Sequence, residues 1–368
     1  MSHGLPIGRI EALEFPRPPE IAEPDCHRAA GLRRLNLNES LLPPSPKAVQ
    51  AMTEALGQAE SYPDHGCAAL ANLLLARTGL AVDRISFGNG SGELLTMAAT
   101  LAIEPGDEAI FPSPTFPTCA KGVLIAGGRV IDVPVQADGV NDIDAMLAAV
   151  TDKTRLFYIC SPNNPTGGTI AEDELLKATK AVPDDCLLVV DEAYHEFARA
   201  EGAPDVLALL EQRSGPWAVT RSFSKAYCMA GMRVGYVFCS SSDLRQAFWK
   251  LRGNFNVSRI GLAGAVAAMQ DEAYLHDTLA ALLRERSRLA EGLEQLGFQA
   301  YPTQANFITA LAPRPATELS AALAQHGLLV QAMPWPGGFG SLRITIGDAD
   351  DVDNLLRRLK DIIGGRAT

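Results

Sequence analysis

Apolar residues come in two rhythms along this chain. From residue 84 to residue 240, short runs rich in Val, Ile, Leu and Phe alternate with stretches in which apolar positions recur every three or four residues. The runs at 84–89 (RISFGN), 107–114 (DEAIFPSP), 129–135 (RVIDVPV), 154–162 (TRLFYICSP), 186–194 (CLLVVDEAY), 217–224 (WAVTRSFS) and 233–240 (RVGYVFCS) predict strands. The stretches at 91–103, 118–128, 142–150 and 171–182 predict helices between them. Apolar strands that alternate with helices imply a mostly parallel sheet covered on both faces, an α/β three-layer sandwich.

After residue 240 the rhythm changes. Helices predicted at 243–252, 258–270 and 272–297 precede short strands at 306–312, 328–333 and 341–347. A last helix starts behind Asp348, a residue type that caps helix starts. Helices laid on a small antiparallel sheet would make a smaller α+β C-terminal domain. Upstream, residues 1–35 are rich in proline and charge (PRPPE, AEPD) and read as an extended arm. Ser45 followed by Pro46 marks a helix start. The predicted division is an N-terminal arm at 1–35, a large domain at 36–250 and a small domain at 251–368, with the hinge near 240–255.

Composition narrows the partners. The 368 residues are 47% apolar and 20% charged, ordinary for a globular protein. A net charge of −11 argues against nucleic acid, whose phosphates demand a basic surface, yet leaves small anionic substrates open. Seven scattered cysteines, at 26, 67, 119, 160, 186, 228 and 239, form no CxxC pair, and their odd number cannot all pair within one chain. They read as reduced, mostly buried thiols of a cytoplasmic protein, and no metal site is expected. The first residues show no signal-peptide run, and apolar segments such as 94–103 are too short to span a bilayer, so no membrane partner is expected.

Ligands of open α/β sheets bind beyond the carboxyl ends of the strands, and four polar signals fall there. GNGSGE (88–93) lies between a strand and a helix that starts at Ser91 or Gly92, where free N–H groups favour a phosphate. SPNNPTGG (161–168) is a tight turn whose adjacent asparagines could aim an amide at a ligand. Asp191 ends an apolar run and needs a partner, with Tyr194 three residues on. Ser222, Ser224, Lys225 and Arg233 bring hydroxyls and two cations to the end of another strand. Singly these are a turn, a cap, a structural ion pair or a surface charge. Together they are what pyridoxal phosphate requires: a lysine for its aldehyde, an acid for its ring nitrogen and a cradle for its phosphate.

SPNNPTGG, DEAYHEF (191–197) and TRSFSKAYCMAGMRVGY (220–236) closely resemble the class I/II aminotransferases of pyridoxal-phosphate fold type I, and within them the histidinol-phosphate aminotransferase family. The resemblance runs from LNLNES (35–40) to SLRITIG (341–347). It implies that Lys225 holds the cofactor and shuttles the Cα proton. It implies that Asp191 pairs with the ring nitrogen, and that Asn164 and Tyr194 bond the ring oxygen. Ser91, Gly92, Ser222, Ser224 and Arg233 would hold the phosphate, and Phe116 would stack on the ring. Tyr62, in SYPDHG, would reach the phosphate of a neighbouring subunit's cofactor, making a homodimer with shared active sites. Arg343 would bind a substrate carboxylate.

Three positions depart from that pattern. Phe116 stands where a tyrosine is usual, Gly92 where an acid is usual, and Gln331 where an arginine that holds a substrate phosphate is usual. The glutamine and the apolar stretch 333–340 (MPWPGGFG) suit an uncharged or aromatic acceptor. The expected reaction moves an amino group from a donor amino acid, glutamate, to a keto or aldehyde acceptor. The alternatives are an aromatic amino acid aminotransferase, a decarboxylase or lyase similar to the threonine-phosphate decarboxylases, and a ligand-sensing module of a DNA-binding regulator. The last fits poorly with an arm too short and proline-rich for a winged helix.

Overall fold

A computed structural model describes Ile10, residues 32–40 and residues 42–365. The expected arm falls almost entirely outside the described residues.

Seven strands form the central sheet, in the order Ile85–Gly88, Gly235–Cys239, Trp217–Ser222, Leu187–Asp191, Thr154–Cys160, Glu108–Ser113, Arg129–Pro134. Gly235–Cys239 runs antiparallel to both of its neighbours, and the remaining ladders are parallel. Alternate residues of the strands enter two separate cores. Phe157, Ile159, Leu188, Val190 and Val219 pack on one face, and Leu156, Tyr158, Cys160, Leu187, Val189 and Ala218 on the other. That is why the strands read as continuous apolar runs: both faces are covered. On the second face, helix Ser91–Ala102 packs on helix Thr118–Ala126 so closely that a Cβ at Gly122 would lie 2.8 Å from that of Ala99.

A third core lies under a four-stranded antiparallel sheet, ordered Gln331–Met333, Ser341–Thr345, Phe307–Leu311, Gln299–Ala300. Helices Glu272–Gln295, Ala316–Gln325 and Ala349–Ile363 contribute to it. Asp348 and Asp351 form a reciprocal capping box at the start of the last helix. Leu35 is buried in the same core, and Arg33–Arg34 pairs in parallel with Leu328–Leu329.

Local differences from the sequence reading are instructive. The run 328–333 is two strands in two sheets, split at Val330. The runs 186–194 and 217–224 leave the sheet at Asp191 and Ser222, so the residues after them form loops at its carboxyl edge. The nine residues from Lys225 to Arg233 form turns with a single 3₁₀ turn at Ala230–Met232. No described helix is long and apolar enough to cross a membrane, and no cluster of metal ligands occurs among the described residues.

Candidate active site

The carboxyl edge of the large sheet meets the smaller sheet at a cavity of about 760 Å³. Ser91, Gly92, Phe116, Asn164, Asp191, Tyr194, Ser222, Ser224, Lys225, Arg233, Gln331 and Arg343 all line it. Tyr62 does not; its side chain is 77% exposed and stacks on Phe255, with ring centres 4.6 Å apart.

One end of the cavity is a nest of donors. Helix Ser91–Ala102 opens there with its backbone N–H groups free of any side-chain cap. Gly235 passes so close that a Cβ would sit 2.4 Å from the Ser91 nitrogen, so only glycine fits. The Ser222 hydroxyl lies 2.9 Å from that of Ser224 and accepts from the Ser224 N–H at 3.1 Å. Arg233 closes the nest from a left-handed backbone conformation, φ 55°. Its guanidinium donates to the carbonyls of Ala230 and Asn89 at 3.0 and 3.2 Å and stands 3.4 Å from the Ser224 hydroxyl. A bulky residue in that conformation is strained by roughly 1 kcal/mol or more, which the surrounding bonds must offset. Helix N-terminus, hydroxyls and guanidinium form a donor set suited to a phosphate.

Asp191 sits deeper and is 2% exposed. Its Oδ2 accepts from the Tyr158 hydroxyl and its Oδ1 from the Thr220 hydroxyl, each at 3.0 Å. Burial pushes the carboxyl up to about 6, against the pull of these two donors. A cationic ring nitrogen opposite it would hold the carboxylate charged.

Lys225 is half-buried between these two regions. Its Nζ donates to the Asn38 carbonyl at 2.8 Å, with the Leu37 carbonyl at 3.4 Å. Burial and then the nearby Arg343 cation lower its pKa to about 8. The Tyr194 ring lies under it, 5.8 Å from Nζ to ring centre, and the Tyr194 hydroxyl accepts from Asn38 Nδ2 at 3.0 Å.

The two asparagines of the 161–168 turn part company. Asn163 is structural: its amide bonds Thr115, Pro114 and Thr166 and so holds the turn. Asn164 faces the cavity and accepts from Arg343 Nη1 at 2.7 Å. The second Arg343 nitrogen, Nη2, donates to the Asn36 carbonyl at 2.7 Å, while its Nε is buried without a partner. Gln331 is the cross-strand neighbour of Arg343, with its own amide turned onto the Ala332 carbonyl. Among the described residues, Lys225, Arg233 and Arg343 are the three cations lining the cavity.

Sequence reasoning missed Asn38, Tyr158 and Thr220. Asn38 is 1% exposed, has φ 54°, and touches Lys225, Tyr194, Asn306 and Thr345. The double asparagine in LNLNES is its one local signal, since a buried left-handed position favours asparagine.

The cavity therefore offers a lysine of lowered pKa, a buried acid and an anion nest, a set that fits pyridoxal phosphate. Comparison with known proteins agrees. A histidinol-phosphate aminotransferase of Moorella thermoacetica is 37% identical over 330 residues, covering 90% of this chain and 85% of its own. An aromatic amino acid aminotransferase of Corynebacterium glutamicum is 35% identical over 338 residues, covering 92% and 95%. The solved structure of histidinol-phosphate aminotransferase from Sinorhizobium meliloti, in complex with pyridoxal-5'-phosphate, superposes with a TM-score of 0.88 at 29% identity, covering 100% of this chain and 99% of its own. The family model for aminotransferase class I and II matches residues 32–359, and the chain belongs to that family.

Proposed function

We propose that this protein uses pyridoxal 5'-phosphate to move an amino group from an amino acid, glutamate, to a keto or aldehyde acceptor. The observation that carries this reading is the convergence of Lys225, Asp191 and the Ser91–Ser222–Ser224–Arg233 nest on one cavity. Bound there, the cofactor supplies an electron sink for charge developing at the substrate Cα.

The protein's own groups do the rest. Lys225 would hold the cofactor through its aldehyde and, with its amine free, would carry the Cα proton; a pKa near 8 suits an amine that must both lose and regain a proton. Asp191 would keep the ring nitrogen protonated. The nest, with the Gly92 N–H at its helix start, would hold the phosphate. Asn164 and Tyr194 would hold the ring oxygen, and Phe116 would stack on the ring. Arg343, which lines the cavity beside Asn164, would orient the substrate carboxylate.

Relatives named histidinol-phosphate aminotransferase support an acceptor of that class. A second reading, an uncharged or aromatic acceptor, is favoured by Gln331. With Lys225 and Arg233 committed to the cofactor, Arg343 is the one lining cation left for substrate among the described residues. The working unit is a homodimer, supported by the rigidly stacked but exposed Tyr62. Six described cysteines are free and five of them buried, which supports a reducing, cytoplasmic setting.

A single-turnover experiment tests the reading. Loaded protein mixed with glutamate should yield one equivalent of 2-oxoglutarate per site. Release of CO₂ without 2-oxoglutarate would place the chain with the decarboxylases instead.

A further inference from the structure

Asp191 and Ser222 occupy the last positions of adjacent strands, and each is followed or preceded by a charged residue on the opposite face. Glu192 follows Asp191, and Arg221 precedes Ser222. Both are buried, at 4% and 5% exposure. Arg221 donates from Nε and Nη2 onto Glu192 Oε2 at 2.8 and 2.7 Å, and His195 Nδ1 lies 3.1 Å from Oε1. The backbone continues the same junction: Glu192 N–H donates to the Thr220 carbonyl at 2.9 Å, and Thr220 itself bonds Asp191. The Arg221 guanidinium also lies over the Phe238 ring, which ties in the third strand, Gly235–Cys239.

Neither Glu192 nor Arg221 lines the cofactor cavity. Arg221 and His195 instead border a separate cavity on the other side of the sheet. A buried ion pair adds little stability over an apolar pair of similar size, so stability alone is a weak account of it.

We propose that the Glu192–Arg221 ion pair is a positioning device for the cofactor. It clamps, from the far face of the sheet, the two strand ends that present Asp191 and Ser222 to the near face. The ladder ends at Asp191 and Thr220, and without the pair the residues beyond it are joined by one backbone bond alone. Slackness there would move the acid that meets the ring nitrogen relative to the hydroxyls that meet the phosphate. A displacement of about 1 Å is enough to lower performance a hundredfold in a preorganised site.

This inference rests on the proposed cofactor, and its test separates the two. Cofactor-free wild type is titrated with pyridoxal phosphate by absorbance, beside Glu192→Leu/Arg221→Leu and Arg221→Lys. Thermal stability of each cofactor-free protein is recorded in parallel. The double variant removes both charges of the pair together but leaves His195 without Glu192 and Glu196 without the nearby Arg221, so its cofactor-free stability should fall less than if one charge of the pair were removed alone. Its affinity for pyridoxal phosphate should fall roughly tenfold or more, and the pH midpoint of the bound cofactor's colour change should shift. Arg221→Lys keeps the charge but loses the two-nitrogen grip, and its affinity should fall less. Affinity and midpoint matching wild type in the double variant would overturn the inference, leaving a merely structural pair. If the double variant does not fold, Arg221→Lys decides by the same criterion. Failure of wild type itself to bind would instead overturn the cofactor reading.

Discussion

The amine of Lys225 rests on the backbone carbonyl of Asn38, 2.8 Å away across 187 residues of chain. Asn38 can present that carbonyl because it is held left-handed, at φ 54°, by its side chain on Tyr194 and its N–H on Thr345. Asn38→Ala should destabilise the protein by about 2–4 kcal/mol, through backbone strain and lost buried hydrogen bonds. Asn38→Gly tolerates the conformation and should lose only about 1–2 kcal/mol. Urea denaturation of the two variants separates strain from side-chain bonding. Equal losses would show that the left-handed conformation carries no penalty here.

Capture of the cofactor by Lys225, as proposed, would be pH-dependent. Only the neutral amine attacks an aldehyde, and with a pKa of about 8 roughly a tenth of it is neutral near pH 7. The rate at which cofactor-free protein binds pyridoxal phosphate should rise with pH and level off above about 8, as read by stopped-flow absorbance. A rate still climbing past pH ~10, the range of an ordinary lysine, would contradict the burial that lowers it. The same shift gives a stability signature. The unfolded lysine keeps its proton up to about 10.4 while the folded one has released it, so this group's contribution is fully present above that value and is lost as pH falls through about 8.

Asp191 works in the opposite sense. Its folded carboxyl is raised to about 6 by burial, so in the cofactor-free protein it binds a proton that the unfolded chain releases near 3.8. Its contribution to stability is complete below the lower value and is lost as pH rises through about 6, amounting to ~3 kcal/mol. Asp191→Asn, which cannot ionise, should flatten that slope in the cofactor-free protein while weakening retention of pyridoxal phosphate. Denaturation from pH ~4 to ~7 with and without cofactor checks both. An unchanged slope in the variant would mean that another group titrates.

Much of the sheet was legible because strands covered on both faces carry unbroken apolar runs. Helices Ala68–Thr78 and Ala316–Gln325 escaped notice, and neither has a side-chain cap to mark its start: Cys67 and Pro315 stand at the two positions. The run 328–333 could not reveal its division, because the partner of Leu328–Leu329 is Arg33–Arg34, nearly 300 residues away. Lys225, Asp191 and Arg233 were readable as local oddities, charges beside strand ends. Tyr158 and Thr220 were not, since each looks like an ordinary strand residue until the register sets it against Asp191.

Gln331 and Arg343 are cross-strand neighbours on two antiparallel strands and both line the cavity. Gln331→Arg would set two like charges side by side, destabilising the protein by about 0.5–1 kcal/mol. It would also give a phosphate-bearing substrate a second charge-assisted donor, about twice as strong as a neutral one. Turnover of histidinol phosphate, as kcat/KM, should rise roughly tenfold or more relative to an aromatic amino acid. An unchanged ratio would assign the choice of side chain to other residues of the cavity wall.

Tyr62 presents an ordered aromatic ring to solvent. Its ring is stacked within 18° of Phe255, and its carbonyl accepts from Arg259 at 2.6 Å, yet the side chain touches nothing in its own chain's cavity. An exposed aromatic side chain outside its own site suits insertion into a neighbour's. If each site of a dimer takes Lys225 from one subunit and Tyr62 from the other, Lys225→Ala and Tyr62→Ala should each be impaired alone but complement when mixed. In a hybrid dimer one site carries both defects and the other carries neither. Random reassortment makes about half the dimers hybrid, so unfolding and refolding an equal mixture should restore about a quarter of wild-type activity. Sedimentation should show that dimers form in every sample. Activity no greater than the average of the two variants would mean that each chain completes its own site, and Tyr62 would then be an ordinary surface aromatic.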